Sequence, residues 1–171
     1  MKVCEKDWFG ADAPYKPQMS LTVGEEFLDF RFQVNKTPHF NSERKFGDFV
    51  PRLSDWDVAE FFLAGTGQDY QEVNVSPTGA WWSAYFEGYR VEPRELRYPS
   101  EIVVEKDDSS WSMSFRTELK HFIPWMNSPR EDWRISVTSI LYDPEPTFYC
   151  WNHFTGGEPD YHRVDIMRPV F

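Results

Sequence analysis

The 171-residue chain is poor in cysteine, holding only Cys4 and Cys150, and contains no apolar run approaching membrane-spanning length. Two cysteines allow one disulfide at most, which excludes a cysteine-stapled scaffold; two reduced thiols are the simpler reading. The opening residues lack both an apolar segment and a small-residue cleavage site, so they form no secretory leader and a cytoplasmic location is expected. Basic residues are also scarce: 18 Lys and Arg stand against 28 Asp and Glu, for a formal net charge of −10. Phosphate backbones and anionic membrane surfaces call for clustered Lys and Arg, so nucleic acid and membrane partners are not expected. A neutral small ligand remains open. No stretch carries a capped helical period, and no internal repeat or low-complexity tract is present.

Aromatic residues, in contrast, make up 18% of the chain, with 8 Trp, 8 Tyr and 15 Phe. One core of this size does not need so much ring surface, which places some rings on a working face while most Phe pack inside. The length fits a single domain over residues 1–171 that buries its core without staples. Gly and Pro clusters recur at short intervals, and the segments between them are rich in Val, Ile, Phe, Trp and Tyr. Residues 28–35, 111–119 and 133–139 alternate apolar and polar, as half-buried strands do. Residues 102–104 read as a short strand buried on both faces. Residues 107–110 and 143–146 read as turns, and 121–132, with Pro124 and Pro129, as a loop. The fold class that follows is all-β, a two-sheet antiparallel sandwich with jelly-roll-like topology.

Residues 56–90 carry most of the functional information. They read as a three-stranded meander with turns at 65–67 and 76–79; Ser76, Pro77 and Gly79 suit a type I turn. Symmetric pairing about these turns puts Ala59, Phe61, Leu63, Val73, Val75, Trp82, Ala84 and Phe86 on one face, the expected core. Trp56, Val58, Glu60, Phe62, Tyr70, Glu72, Asn74, Trp81, Ser83 and Tyr85 share the other. Rings mixed with carboxylates and an amide suit a sugar, whose apolar faces stack on rings and whose hydroxyls bond acceptors. The same register sets Glu60 opposite Glu72, a like-charge pair that requires a cation, a ligand hydroxyl or a raised pKa. A one-residue slip would separate them.

Residues 53–63, 70–82 and the pair Tyr89-Arg90 resemble the central pattern of bacterial DOMON-like proteins, which are related to family 9 carbohydrate-binding modules. Trp151-Asn152-His153 and residues 159–162 resemble that group's closing motifs, with Tyr161 where the group has Phe. The resemblance spans about two-thirds of the chain. It implies a β-sandwich holding a sugar between two Trp rings. By position, Trp56 and Trp151 are the candidate rings, Glu60, Arg90 and Asn152 candidate hydrogen-bond partners, and His153 lies in the same closing segment. Family 9 modules also hold structural calcium, but no acidic loop here is assignable to it, so no cofactor or metal is expected.

The candidate ligand-binding set is therefore Trp56, Glu60, Glu72, Asn74, Trp81, Arg90, Trp151, Asn152 and His153, with no catalytic residue. Two other chemistries compete. A glycoside-processing enzyme would use Glu60 and Glu72, whose separation across facing strands approaches the short carboxylate spacing of retaining enzymes. A haem-binding DOMON-type domain would need axial ligands, for which Met113 and His153 are the available candidates. Arg90 is expected to pair with a carboxylate, Glu60 or Glu72 being suitable.

Overall fold

The computed structural model describes residues 1–152 and 157–171. In chain order the strands are β1 (Lys2–Val3), β2 (Gln18–Val23), β3 (Phe27–Val34), β4 (Val58–Ala64), β5 (Tyr70–Val75) and β6 (Trp81–Phe86). There follow β7 (Arg94–Glu95), β8 (Glu101–Lys106), β9 (Trp111–Glu118), β10 (Arg134–Tyr142), β11 (Pro146–Cys150) and β12 (Arg168–Pro169). One sheet has the order β1-β2-β3-β9-β8; the other runs β11-β10-β4-β5-β6-β7, with β12 also on β10. Every named pair is antiparallel. The chain crosses between sheets after β3, after β7 and after β9. The two-sheet sandwich read from alternation and turn chemistry is therefore the fold. No helix among the described residues is long and apolar enough to cross a membrane.

Between the sheets, Phe30 and Phe32 of β3, Phe61 of β4, Val73 of β5, Phe115 of β9 and Val137 of β10 interdigitate, all essentially inaccessible. This is the consequence of period-two alternation on each facing strand. The segment read as a loop at 121–132 instead holds a one-turn α-helix, α1 (Ile123–Met126), with Pro124 in its first turn, a position where a missing N–H costs nothing. Trp125 from this turn stacks on Trp133 with ring centroids 4.5 Å apart and donates to the Ala64 carbonyl. Residues 102–104 are not buried on both faces. They belong to β8, an edge strand on which Val103 is 56% exposed.

Two features of the meander differ from symmetric pairing. In β4–β5, Glu60 faces Asn74 and Phe62 faces Glu72, so Glu60 and Glu72 are diagonal neighbours rather than opposite residues. This slip is even, so both still lie on one face. In β5–β6, Val75 pairs with Trp81 and Asn74 with Trp82, because the connection closes through Ser76 N–H to the Ala80 carbonyl and takes up one residue more. That odd slip turns β6 over. Trp82, Ala84 and Phe86 join the Glu60 face, and Trp81 enters the inter-sheet core against Phe49, Tyr98 and Phe115.

The Glu60 face is not open. Trp8, Leu53, Tyr161, Val164, Ile166 and Met167 pack onto it and form a second apolar layer with Val58, Phe62, Tyr70, Trp82 and Phe86. Excess ring surface therefore serves two buried layers, one on each face of the larger sheet.

Candidate functional site

The larger sheet's outer face places three of the candidate residues together under that cover. Glu60, Glu72 and Asn74 are 2%, 6% and 3% exposed. Thr138 Oγ1 donates to Glu60 at 3.1 Å, and Asn74 Nδ2 donates to Glu72 at 2.8 Å. Asn74 Oδ1 is buried with no donor. Burial first, and then the Glu72 charge, raise the Glu60 carboxyl well above the usual range. Burial likewise pushes Glu72 up to about 7, against the opposing effects of the Asn74 hydrogen bond and the Arg90 charge. The like-charge problem is thus met by protonation, since one carboxyl holds its proton at neutral pH. Both carboxylates lie buried beneath the second apolar layer.

The other candidates disperse. Arg90, whose backbone is left-handed, turns out toward Asp160 and does not pair with Glu60 or Glu72.

 Its φ is 52°, against 62° at Arg52, and its Nη2 lies 3.1 Å from Asp160, which also accepts from Tyr89 Oη. Trp81 is a core ring, as described above. Asn152 is buried and acts as a clasp, its Nδ2 donating to the Ile135 and Ile166 carbonyls at 3.1 Å each. Trp151 is half-buried at the sandwich edge. Its N–H bonds the Val137 carbonyl, level with Phe61 of β4 and five residues from Trp56. At about 3.3 Å per residue this sets the two Trp some 16 Å apart along the strands, so they do not face each other across one ligand. Met113, the haem-ligand candidate, is sealed in the inter-sheet core, and His153 lies outside the described residues. Among the described residues no group of three or more His, Cys, Asp or Glu is placed to hold a metal. Cys4 and Cys150 are free and buried.

Trp56 marks an accessible site. Beside it, Asp57 is fully buried and binds three segments at once. Its Oδ2 accepts from Lys36 Nζ and from the His39 backbone N–H, each at 2.9 Å, and its Oδ1 accepts from the Tyr142 N–H at 2.8 Å. The start of β4, the segment after β3 and the end of β10 are thereby locked together by a hydrogen-bonded buried ion pair. This junction presents His39 edge-on between Trp56, at 4.9 Å, and Tyr142, at 5.8 Å. Tyr142 Oη is tied to the Ser54 carbonyl at 2.8 Å, and Tyr15 Oη donates to Asp143. The result is a cleft of about 520 Å3 walled by Tyr15, His39, Phe40 and Tyr142, with Asp143 and Lys36 supplying polar groups. These rings are half-buried or exposed. Burial, followed by the charges of Asp55, Asp57 and Glu60, raises the Tyr142 hydroxyl, which therefore stays protonated and keeps its bond to the Ser54 carbonyl.

Of the sequence candidates, Trp56 packs behind His39 without lining this cleft, and Tyr15, Lys36, His39, Tyr142 and Asp143 are not among those candidates. Asp143 was read only as part of a turn. The five come from three segments with no shared spacing, so no local pattern marks them.

No family model matches the chain, and no curated protein matches it in sequence. Solved structures do. A putative carbohydrate-binding protein from Bacteroides uniformis ATCC 8492 superposes with a TM-score of 0.69 at 8% identity, covering 96% of this chain and 82% of that one. The two chains share the two-sheet fold. A family 9 carbohydrate-binding module from Caldicellulosiruptor kristjanssonii in complex with glucose gives a TM-score of 0.53 at 11% identity, covering 98% and 79%. The same kind of module from that organism with cellotriose gives 0.51 at 10%, covering 98% and 77%. The likeness lies in the backbone, since so few side chains are shared; it shows the fold alone, and the ligand must be argued from this chain's own residues.

Proposed function

We propose that this protein is a non-catalytic binder of a small sugar, a mono- or oligosaccharide, in the cleft beside Trp56. The observation that carries the reading is the convergence of Tyr15, His39, Phe40 and Tyr142 with the Asp143 carboxylate on one accessible cleft. Its size falls in the range of roughly 300–1,000 Å3 found for small-molecule sites. Rings of this kind stack on the apolar face of a pyranose, Asp143 accepts from its hydroxyls, and the buried Lys36–Asp57 pair holds the walls in place. The structural likeness to modules carrying glucose and cellotriose supports the same ligand class. Glu60 and Glu72 take no part in turnover in this reading, because both are sealed beneath the second apolar layer.

Calorimetric titration with glucose, cellotriose and a wider glycan panel tests it. Tyr142→Ala removes a wall ring and is expected to weaken binding by roughly tenfold, the equivalent of about 1.4 kcal/mol. Trp56→Ala, which removes the support behind His39, is expected to weaken it less. Binding unchanged in both variants places the ligand elsewhere, and release of reducing sugar from the panel would restore the enzymatic reading.

A further inference from the structure

A second cleft, of about 540 Å3, opens at the sandwich edge where β11 leaves β10 and β12 takes its place. It shares no lining residue with the cleft beside Trp56. Leu21 of β2, Ile135 of β10, Val170 and the ring of Phe171 make an apolar wall, and Trp151 flanks it. Asn152 holds this edge together through its bonds to Ile135 and Ile166.

The polar chemistry of this cleft is one-sided. Among the described residues no Asp or Glu lines it, although acidic residues outnumber basic ones by 28 to 18 in the chain. Lys2 and Arg168 both do. Lys2 Nζ spends one N–H on the Trp151 carbonyl at 2.7 Å and stands 5.8 Å from the Trp151 ring centroid. The Arg168 guanidinium makes no hydrogen bond or ion pair with any described residue, its backbone being paired with Ile135. Trp151 Nε1 is a buried donor with no acceptor. An excess of donors and positive charge beside an apolar wall is complementary to an anion carried on an apolar body. A guanidinium also matches a carboxylate in a two-point contact that an ammonium does not reproduce.

We propose that this edge cleft binds a small carboxylate with an apolar body, its head group between Arg168 and Lys2 and its body against Leu21, Ile135 and Trp151. The proposal is independent of the sugar reading and uses other residues.

The probe is 4-phenylbutyrate, with 4-phenylbutylamine and 4-phenylbutanol as charge-reversed and neutral controls. Titration is followed through the indole N–H resonances of the intact 15N-labelled protein, the Trp151 signal being identified by its loss in Trp151→Phe. The carboxylate is expected to move the Trp151 signal saturably, and the amine is not. Arg168→Gln, an exposed substitution that leaves the fold intact, is expected to weaken the carboxylate by roughly tenfold, with Lys2→Gln acting in the same direction. Tyr142→Ala is expected to leave this titration unchanged, and Arg168→Gln to leave any sugar titration unchanged. The proposal is overturned by an unmoved Trp151 signal at about 10 mM carboxylate, a concentration that populates even a Kd of that order. It is equally overturned if the alcohol or amine binds as well as the carboxylate, or if Arg168→Gln has no effect.

Discussion

Glu72→Gln should make the protein more stable at alkaline pH and nearly neutral in effect at acidic pH. Below about pH 4 both buried glutamates are protonated in the folded and the unfolded chain, and burial costs no charge desolvation. As pH rises, the unfolded chain ionises freely at the ordinary value of 4.5, while the folded chain holds Glu72 protonated up to about 7. The folded state then binds more protons than the unfolded one, so stability falls with rising pH across that window. A displacement from 4.5 to about 7 corresponds to roughly 3 kcal/mol, at about 1.4 kcal/mol per pH unit. Glu60 is also raised well above its ordinary value, by burial and then by the Glu72 charge, and adds to the loss in the same direction. In Glu72→Gln the new amide oxygen still accepts from Asn74 Nδ2, the penalty disappears, and Glu60 loses its like-charged neighbour. For a chain of this length 3 kcal/mol is roughly 6–12 °C in Tm. Thermal unfolding of parent and variant, followed by Trp fluorescence in matched buffers at about pH 4 and about pH 8.5, measures the difference between them and cancels every other titrating group. A gap in Tm that is the same at both pH values would refute the reasoning, because it would mean that the buried pair carries no proton that depends on the fold.

Other substitutions probe the framework. Lys36→Met strands the Asp57 carboxylate in a dry site and should cost roughly 3–5 kcal/mol in denaturant unfolding, as breaking one side of a buried ion pair does. Asn152→Ala leaves the Ile135 and Ile166 carbonyls without their shared donor and should cost about 1–3 kcal/mol by the same measurement. Gly79 has φ of 79°, and an added Cβ would stand 2.4 Å from the Phe46 ring, so Gly79→Ala should lose more than the roughly 1 kcal/mol of a strain-free left-handed site. Phe61→Ala removes a ring packed against Phe30, Phe115 and Phe122 and should cost about 3–5 kcal/mol.

Much of the fold was legible along the chain. Alternation over residues 28–35 and 111–119 matches β3 and β9, and Asp143-Pro144 forms the β10–β11 turn. The association of Glu60, Glu72 and Asn74 with one face was also legible, because an even slip in β4–β5 leaves period-two parity untouched. The face of β6 was not. It depends on whether the 76–80 connection holds an even or an odd number of residues, and a single extra residue exchanged Trp81 for Trp82.

By itself the sequence determined the elements: the all-β class, the main turns, and which residues of β4 and β5 share a side. Those properties follow from contacts between near neighbours and from the strand's own period. Only the tertiary structure decided what that side faces. Trp8 and Tyr161, 50 residues before and nearly 100 after β4, close over it and turn a mixed ring-and-carboxylate face into a second core. The accessible chemistry moved to the rim, where Asp57 draws Lys36, His39 and Tyr142 onto Trp56. Whether a polar residue works in water or is sealed away depends on which distant segments pack over it, and no local period encodes that.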